Sequence, residues 1–193
     1  MRWIDLIDKR YLLTAMQLLG LPIALYAVIA YGTIAWLSIS FVIFMLMNVL
    51  GGTIAYHRIH CHSTHKMHPV LEFVCTFLGL HATYSSPIDF AAIHVAHHKY
   101  SDTEKDPHSF KHMGFKTFFP ILWDTGGPMG GDLRTVVRLM RNKITLFFHR
   151  NHFILLAAPY LLLFISIELF FFAYFVPTVT ATVPLSWLML LRK

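Results

Sequence analysis

The sequence predicts an all-α, multi-pass membrane protein with four transmembrane helices and a cytosolic, histidine-rich helical cap. Of its 193 residues, 56% are hydrophobic and only 13% are charged, whereas soluble domains carry about 25% charged residues. Two long apolar stretches flank a polar centre, and all 13 histidines lie in that centre. We therefore expect a single membrane domain over residues 1–193, with a cytosolic segment at 53–152.

The first apolar stretch is long enough for two spans. No Asp, Glu, Lys, Arg or His occurs from Tyr11 to Tyr56. A single helix of that length would reach about 70 Å, against about 30 Å for the hydrocarbon core of a bilayer. The stretch therefore predicts spans at about 11–31 and 33–52, with a turn near Gly32.

The second apolar stretch runs from Phe153 to Leu191 and contains Glu168 as its only charged residue. It predicts two more spans, at about 153–172 and 176–191. With four spans, all 16 Lys and Arg residues lie on one side of the membrane, and the positive-inside rule makes that side cytoplasmic. Because the basic residues follow the membrane ends instead of forming one patch, they argue against nucleic acid as a partner.

The cytosolic segment predicts three further helices. Residues 70–83 are apolar but too short to span, which favours an interfacial or re-entrant helix. Residues 89–99 predict a second helix. Residues 133–149 predict a basic amphipathic helix, of the kind that lies on a cytoplasmic membrane surface.

Two clusters of histidines carry the chemistry, His57-Arg-Ile-His-Cys-His62 and His94-Val-Ala-His-His98. Neutral imidazole is a common ligand of transition metals, and nitrogen ligands without thiolates suit iron, zinc or copper. The three histidines of the second cluster stand at i, i+3 and i+4, so they can converge on one point of a helix.

The first cluster is harder to place on a helix. His57 and His62 are about 140° apart around an ideal α-helix. They therefore require two metal positions, or a helix that ends between them. His60 lies on the same turn and is an alternative ligand to His62. The HxxH pair His149 and His152 provides two further alternative ligands.

Three segments resemble the membrane fatty acid desaturases of the delta-9 type: TIAYHRIHCH at 53–62, Ser-Pro-Ile at 86–88 and HVAHHKYSDTEKDPHS at 94–109. In that family HxxxxH and HxxHH are the first two histidine boxes, and the YSDTxxDPHS run is their usual continuation. The segment KHMGF at 111–115 resembles the family sequence that follows. The resemblance extends over about residues 10–190 and is most specific at 53–115.

The resemblance implies O2-dependent insertion of a cis double bond, at delta-9, into a long fatty acyl chain. The substrate would be an acyl-CoA, an acyl-carrier protein conjugate or an acyl-lipid. Electrons would come from cytochrome b5 or a ferredoxin, in the endoplasmic reticulum or a bacterial inner membrane. The family holds two iron ions with eight or nine histidines. The implied metal ligands here are His57, His62, His94, His97 and His98, while Asp106 and His108 would orient the ligands or their loop.

The family also has a third histidine box, HNxHH, after the fourth span. This chain ends at Lys193, where that region would begin, so we expect a truncated desaturase with an incomplete ligand set. Two alternatives stay open. One is a non-catalytic or partner-dependent membrane subunit, and the other is an acyl-chain hydroxylase on the same scaffold.

Overall fold

The computed structural model describes residues 9–122 and 131–183. Over these ranges the chain is helical and contains no strand, which confirms the all-α prediction for this part of the protein. Short helical turns at Phe110–Met113, Gly114–Phe118 and Pro120–Leu122 separate the fourth and fifth main helices. The main helices are α1 (Arg10–Tyr31), α2 (Ile34–Cys61), α3 (Pro69–Thr83), α4 (Pro87–Tyr100), α5 (Leu133–Met140), α6 (Lys143–Arg150), α7 (His152–Phe164) and α8 (Ile167–Thr182).

α1 and α2 are long and apolar enough to cross a membrane, with 22 and 28 residues. The turn between them lies where the sequence predicts it. Gly32 ends α1 in an extended conformation, and the Thr33 hydroxyl accepts the first hydrogen bond of α2 from the backbone N–H of Trp36, at 3.3 Å. α6 and α7 meet at an angle of 70° and would together form a third candidate span.

The boundary between α7 and α8 differs from the prediction. The expected span at 153–172 is not one helix, because Ser166 is extended and starts a new helix. Its hydroxyl accepts from the backbone N–H of Leu169 at 3.2 Å and donates to the Glu168 carboxylate at 2.6 Å. α8 then continues through residues 173–175, which separate the two predicted spans. Of the predicted span at 176–191, residues 184–191 lie outside the described residues.

The second half of α2 is a π-helix, Met47–Cys61, with i→i+5 hydrogen bonds. α3 packs against this half at a contact between two glycines. A Cβ atom on Gly51 would lie only 2.3 Å from the backbone nitrogen of Gly79, and a Cβ on Gly79 would lie 2.3 Å from the Tyr56 ring. The absence of side chains therefore lets the two backbones touch.

The predicted amphipathic helix at 133–149 is two helices. The Asn142 side chain accepts hydrogen bonds from the backbone N–H groups of Ile144 and Thr145, at 2.8 and 3.4 Å, and so begins α6. α5 buries Val136 and Leu139 in a small apolar core that it shares with α4 and the end of α2. α4 thus contacts the π-helix, α5 and α6.

Candidate metal centre

The π-helix brings the two ends of the first histidine cluster together. In an i→i+5 helix, residues five apart stand one turn above each other, and the backbone N–H of His62 bonds to the carbonyl of His57 at 3.2 Å. Their ring centroids are 4.6 Å apart. Of the two alternatives that the sequence left open, the structure shows a helix that ends between His57 and His62, because the helix ends at Cys61. It is a π-helix at this end, not the α-helix that the sequence interpretation assumed.

Four imidazoles from α2 and α4 form one group, which we call the four-imidazole cluster: His57, His62, His94 and His98. One ring nitrogen of each lies within 4.8 Å of those of the others. The Nε2 atoms of His94 and His98 are 2.9 Å apart, and the His57 and His94 ring centroids are 4.9 Å apart. The structure therefore converges four of the five predicted ligands.

Aromatic side chains support the buried side of the cluster. The ring of Phe90, one turn before His94 on α4, stacks on the His94 imidazole at 5.4 Å with an interplanar angle of 11°. Tyr56, which is fully buried, packs edge-on against Phe90 at 5.3 Å. Its hydroxyl donates to the carbonyl of Ser85 at 3.0 Å. These contacts restrict how far the His94 ring can rotate.

The environment keeps His94 neutral. Burial, followed by the nearby imidazoles of His98, His57 and His62, lowers the pKa of His94 from 6.5 to about 3. A metal binds the neutral form of imidazole. This ligand therefore needs no proton release at physiological pH.

His97 lies outside the four-imidazole cluster, although it shares α4 with His94 and His98. It forms a second group with Asp106 and His108, and the possible ligand atoms of this group also lie within 4.8 Å of one another. The His97 ring stacks on that of His108 at 4.4 Å and is 5.9 Å from the His98 ring. The expected convergence of all three HxxHH histidines on one point is therefore incomplete.

Asp106 organises the loop after α4. Its carboxylate, which is fully buried, bonds His97 Nδ1 at 2.8 Å and accepts from the backbone N–H groups of Asp102 and His108, each at 3.2 Å. Burial alone would raise the pKa of Asp106, but these hydrogen bonds outweigh burial and lower it. The ionised carboxylate thus fixes both the His97 ring and the loop.

His60 points away from the cluster. Its ring is 1% exposed, and Nε2 bonds the Thr76 hydroxyl of α3 at 3.0 Å. The structure gives His60 a role in packing α2 against α3, so it is not the alternative to His62 that the sequence allowed.

His149 and His152 belong to neither group of candidate ligands in the described chain. His149 Nδ1 bonds the hydroxyl of Ser86 at 2.8 Å, and Ser86 also donates to Asp89 at 2.7 Å at the start of α4. His152 is 1% exposed, within the first turn of α7. His149 therefore contacts the start of α4, and neither histidine is grouped with the candidate ligands.

Three supporting residues were missed by the sequence interpretation: Thr76, Phe90 and Arg138. The side chain of Arg138, on α5, contacts the end of the helix that carries His57 and His62. None of the three has a spacing that distinguishes it from an ordinary packing or surface residue. Only the tertiary structure shows what they touch.

The donor set of the four-imidazole cluster is chemically uniform. It contains neither a carboxylate nor a thiolate among its members, so it suits a borderline transition metal ion better than Ca²⁺ or Mg²⁺. Two of its imidazoles, His62 and His98, are exposed, and the other two are partly buried. The residues present therefore fit a metal ion of the iron, zinc or copper type.

Comparisons with known proteins agree with the histidine pattern. The chain is 37% identical over 82 residues to an acyl-CoA C20 Delta5-desaturase of Anemone leveillei, covering 42% of this chain and 26% of the relative. It is 40% identical over 79 residues to delta-9 acyl-lipid desaturase 1 of Arabidopsis thaliana, covering 40% of this chain and 25% of the relative. A match to an acyl-CoA Delta(11) desaturase of Trichoplusia ni is 38% identical over 85 residues, covering 41% of this chain and 24% of the relative.

The matched part thus spans about a quarter of each of these relatives. No family model and no solved structure matches the chain. Several desaturases, named for different double-bond positions and acyl carriers, nevertheless share sequence with it at 32–40% identity. Over about 40% of its length, the chain is therefore similar to named fatty acid desaturases.

Proposed function

We propose that this protein catalyses the O2-dependent desaturation of a long-chain fatty acyl substrate at a di-iron centre. The observation that carries the proposal is the four-imidazole cluster, to which the helices of the first and second histidine boxes contribute two side chains each. Two sequence-distant pairs meet at one place, as a shared metal would require. The names of the matched relatives support the reaction class.

The four-imidazole cluster and His97 would hold the metal. A pair of bound irons would supply the oxidation of an unactivated C–H bond, which side-chain acid–base chemistry does not provide. The protein keeps His94 neutral, and Asp106 fixes the His97 ring through Nδ1. A carboxylate bonded to the far nitrogen of a ligating histidine is a common arrangement, which sets the tautomer and strengthens the ligand.

We further propose that the histidine face is cytoplasmic and that the chain has four spans, in the endoplasmic reticulum or a bacterial inner membrane. Exposed apolar side chains on α1 and α2, such as Ile29, Ile34 and Phe41, at 76%, 86% and 63% exposure, suit contact with lipid. The Lys and Arg residues of segment 53–152 then lie on the same, cytoplasmic side of the membrane as the histidines, as the positive-inside rule requires.

For the substrate we propose an acyl-CoA, acyl-carrier protein or acyl-lipid, with the double bond at delta-9. The matched relatives are named for acyl-CoA or acyl-lipid substrates and for positions 5, 9 and 11. Desaturation removes two hydrogen atoms from the acyl chain, and both oxygen atoms of O2 leave as water. That balance needs a pair of electrons, for which we propose cytochrome b5 or a ferredoxin.

Two alternatives lead to different products or requirements. An acyl-chain hydroxylase on the same scaffold would insert an oxygen atom. A partner-dependent subunit would need a second chain to complete its ligands.

Reconstitution of the full chain in nanodiscs tests the proposal. The protein is loaded with iron anaerobically, supplied with a reduced donor and stearoyl substrate, and analysed for bound iron and for products by mass spectrometry. We expect iron binding and a product that has lost two hydrogen atoms, both abolished by the double change His62→Ala and His94→Ala. Absence of bound iron would contradict the metal centre. A gain of oxygen would favour the hydroxylase, and turnover only with a second chain would favour the subunit.

A further inference from the structure

The end of the helix that carries the first histidine box has backbone carbonyls that need hydrogen-bond donors from another helix. The π-helix ends at Cys61, and the chain turns through Ser63 in the left-handed conformation, with φ of 53°. The last carbonyls of a helix lack partners within that helix. Here the N–H groups of residues 62–64 bond the carbonyls of residues 57–59. The carbonyls of His60 and Cys61 accept from outside this turn.

Arg138, on α5, supplies these donors. Nη2 donates to the carbonyls of His60 and Cys61, the latter at 3.3 Å, and Nη1 donates to the hydroxyl of Ser63 at 2.7 Å. The planar guanidinium can reach several acceptors at once. Its positive charge also lies at the negative end of the helix dipole. One side chain thus satisfies three acceptors on either side of His62.

α5 is itself fixed to the helix of the second histidine box. The backbone N–H of Asp132 donates to the carbonyl of Ala92 on α4 at 2.9 Å. Gly131, with φ of 71°, approaches so closely that a Cβ atom would lie 2.2 Å from the same carbonyl. The Asp132 carboxylate then accepts from the N–H of Thr135 at 2.9 Å and begins α5. The anchor point is two residues before His94.

Apolar packing makes this connection rigid. Val136 and Leu139 of α5 are each 3% exposed and pack with Ile88 and Ala91 of α4 and with Cys61 of α2. Arg138 lies between these two buried α5 residues in sequence and extends to the end of α2. α5 therefore contacts the helices of both histidine boxes.

We infer that Arg138 is a positioning residue, which holds the last turn of the first histidine box in register with α4 so that His62 faces His94 and His98. The inference deepens the proposed metal centre and rests on it for its functional meaning. Arg138 does not belong to either group of candidate ligands. It acts through the backbone of His60, Cys61 and Ser63.

The test compares Arg138→Ala and Arg138→Lys with Arg141→Ala, a control that removes an exposed arginine from the end of the same helix. Each full-length variant is studied in nanodiscs by hydrogen exchange of the amides at 58–64. Co(II) titration then gives affinity and the ligand-field spectrum at saturation. We expect Arg138→Ala to exchange faster at 58–64, bind Co(II) about 10-fold more weakly and show an altered spectrum. Lysine should restore part of each property, because it keeps the charge but offers no planar fork.

The outcomes separate the positioning role of Arg138 from the proposal of a metal centre. Unchanged exchange at 58–64 in Arg138→Ala would overturn the inference, whatever the metal data show. Faster exchange with unaltered Co(II) affinity and spectrum would reduce Arg138 to a helix cap and also overturn it. An equal effect of Arg141→Ala would assign the result to charge alone. If the wild-type protein binds no Co(II), the metal-centre proposal fails, while the exchange data still decide whether Arg138 holds this turn.

Discussion

Nδ1 of His97 lies 2.8 Å from Oδ1 of Asp106, and this contact joins the HxxHH helix to the loop that follows it. The same carboxylate accepts two backbone N–H groups of that loop. Asp106 therefore fixes the ring orientation of His97 and the fold of residues 102–108 together. His97 keeps its other ring nitrogen, Nε2, on the opposite edge of the ring.

Asp106→Asn should weaken metal binding about 10- to 100-fold, as loss of a carboxylate partner of a ligating histidine commonly does. The amide cannot accept from His97 and both backbone groups as strongly as the carboxylate does. Co(II) titration of the purified protein measures the effect. Glu104→Gln, an exposed acidic residue of the same loop, is the control and should leave the affinity unchanged. Equal affinities of wild type and Asp106→Asn would contradict the role of this contact.

His62→Ala and His60→Ala should separate metal binding from packing. His62 is exposed and belongs to the four-imidazole cluster, so its loss should lower bound metal without a large change in thermal stability. His60 is buried against Thr76. Its loss should cost about 1–3 kcal/mol of stability and leave the metal content of the folded protein near that of wild type. Metal analysis and thermal unfolding in detergent measure the two effects, and His65→Ala, which removes an exposed histidine, is the control. A loss of metal in His60→Ala together with a loss of stability in His62→Ala would refute the assignment.

Acidification should destabilise the metal-free protein between about pH 6.5 and pH 3. Burial and neighbouring imidazoles lower the pKa of His94 to about 3 in the fold, against 6.5 in the unfolded chain. Between these values the unfolded state binds more protons, so stability rises with pH and is lost as pH falls. His94→Gln should reduce this slope by at most one proton, about 1.4 kcal/mol per pH unit. Denaturant unfolding at several pH values gives the slope of the free energy of unfolding against pH for wild type and for His94→Gln. An identical slope in these two proteins would rule out the contribution of His94.

Ser86→Ala should loosen the start of the HxxHH helix. Ser86 is fully buried, and its hydroxyl caps α4 at the N–H of Asp89 while it bonds His149. Loss of such a cap costs about 1 kcal/mol, and here it also removes the link to α6. Thermal unfolding should show a lower midpoint than for Ser85→Ala, a neighbour whose carbonyl, not its hydroxyl, holds Tyr56. Equal midpoints would argue against the cap.

The sequence was sufficient for the first two long apolar helices and for the meeting of His94 with His98. A 46-residue stretch without charge can only be two helices with a turn, and Gly32 and Thr33 provide that turn. The i, i+4 spacing of His94 and His98 places them on one face of a helix, and their Nε2 atoms meet. These features depend on local periodicity and chain length, which a sequence contains directly.

Most features of the fold and of the candidate site that the sequence did not predict depend on tertiary contacts. Ser166 is a preferred residue type at a helix start, and its hydrogen bonds with Leu169 and Glu168 begin a new helix inside the apolar stretch. The sequence interpretation gave more weight to the continuous apolar composition and missed this local signal. Helical periodicity places His97 beside His98, but Asp106, nine residues later, decides where its ring points. The π-helix likewise has no local signature that separates it from an α-helix.

The contact between Gly51 and Gly79 limits how this protein can vary. Neither residue has a side chain, yet each sits against backbone or aromatic atoms with no space for even one added carbon. A mutation to alanine at Gly51 would push α3 away from α2, and with it the Thr76 hydroxyl that His60 bonds. In a saturation library scored for folded protein, these two glycines should therefore be depleted of substitutions, while exposed positions of α1 and α2 accept many apolar residues.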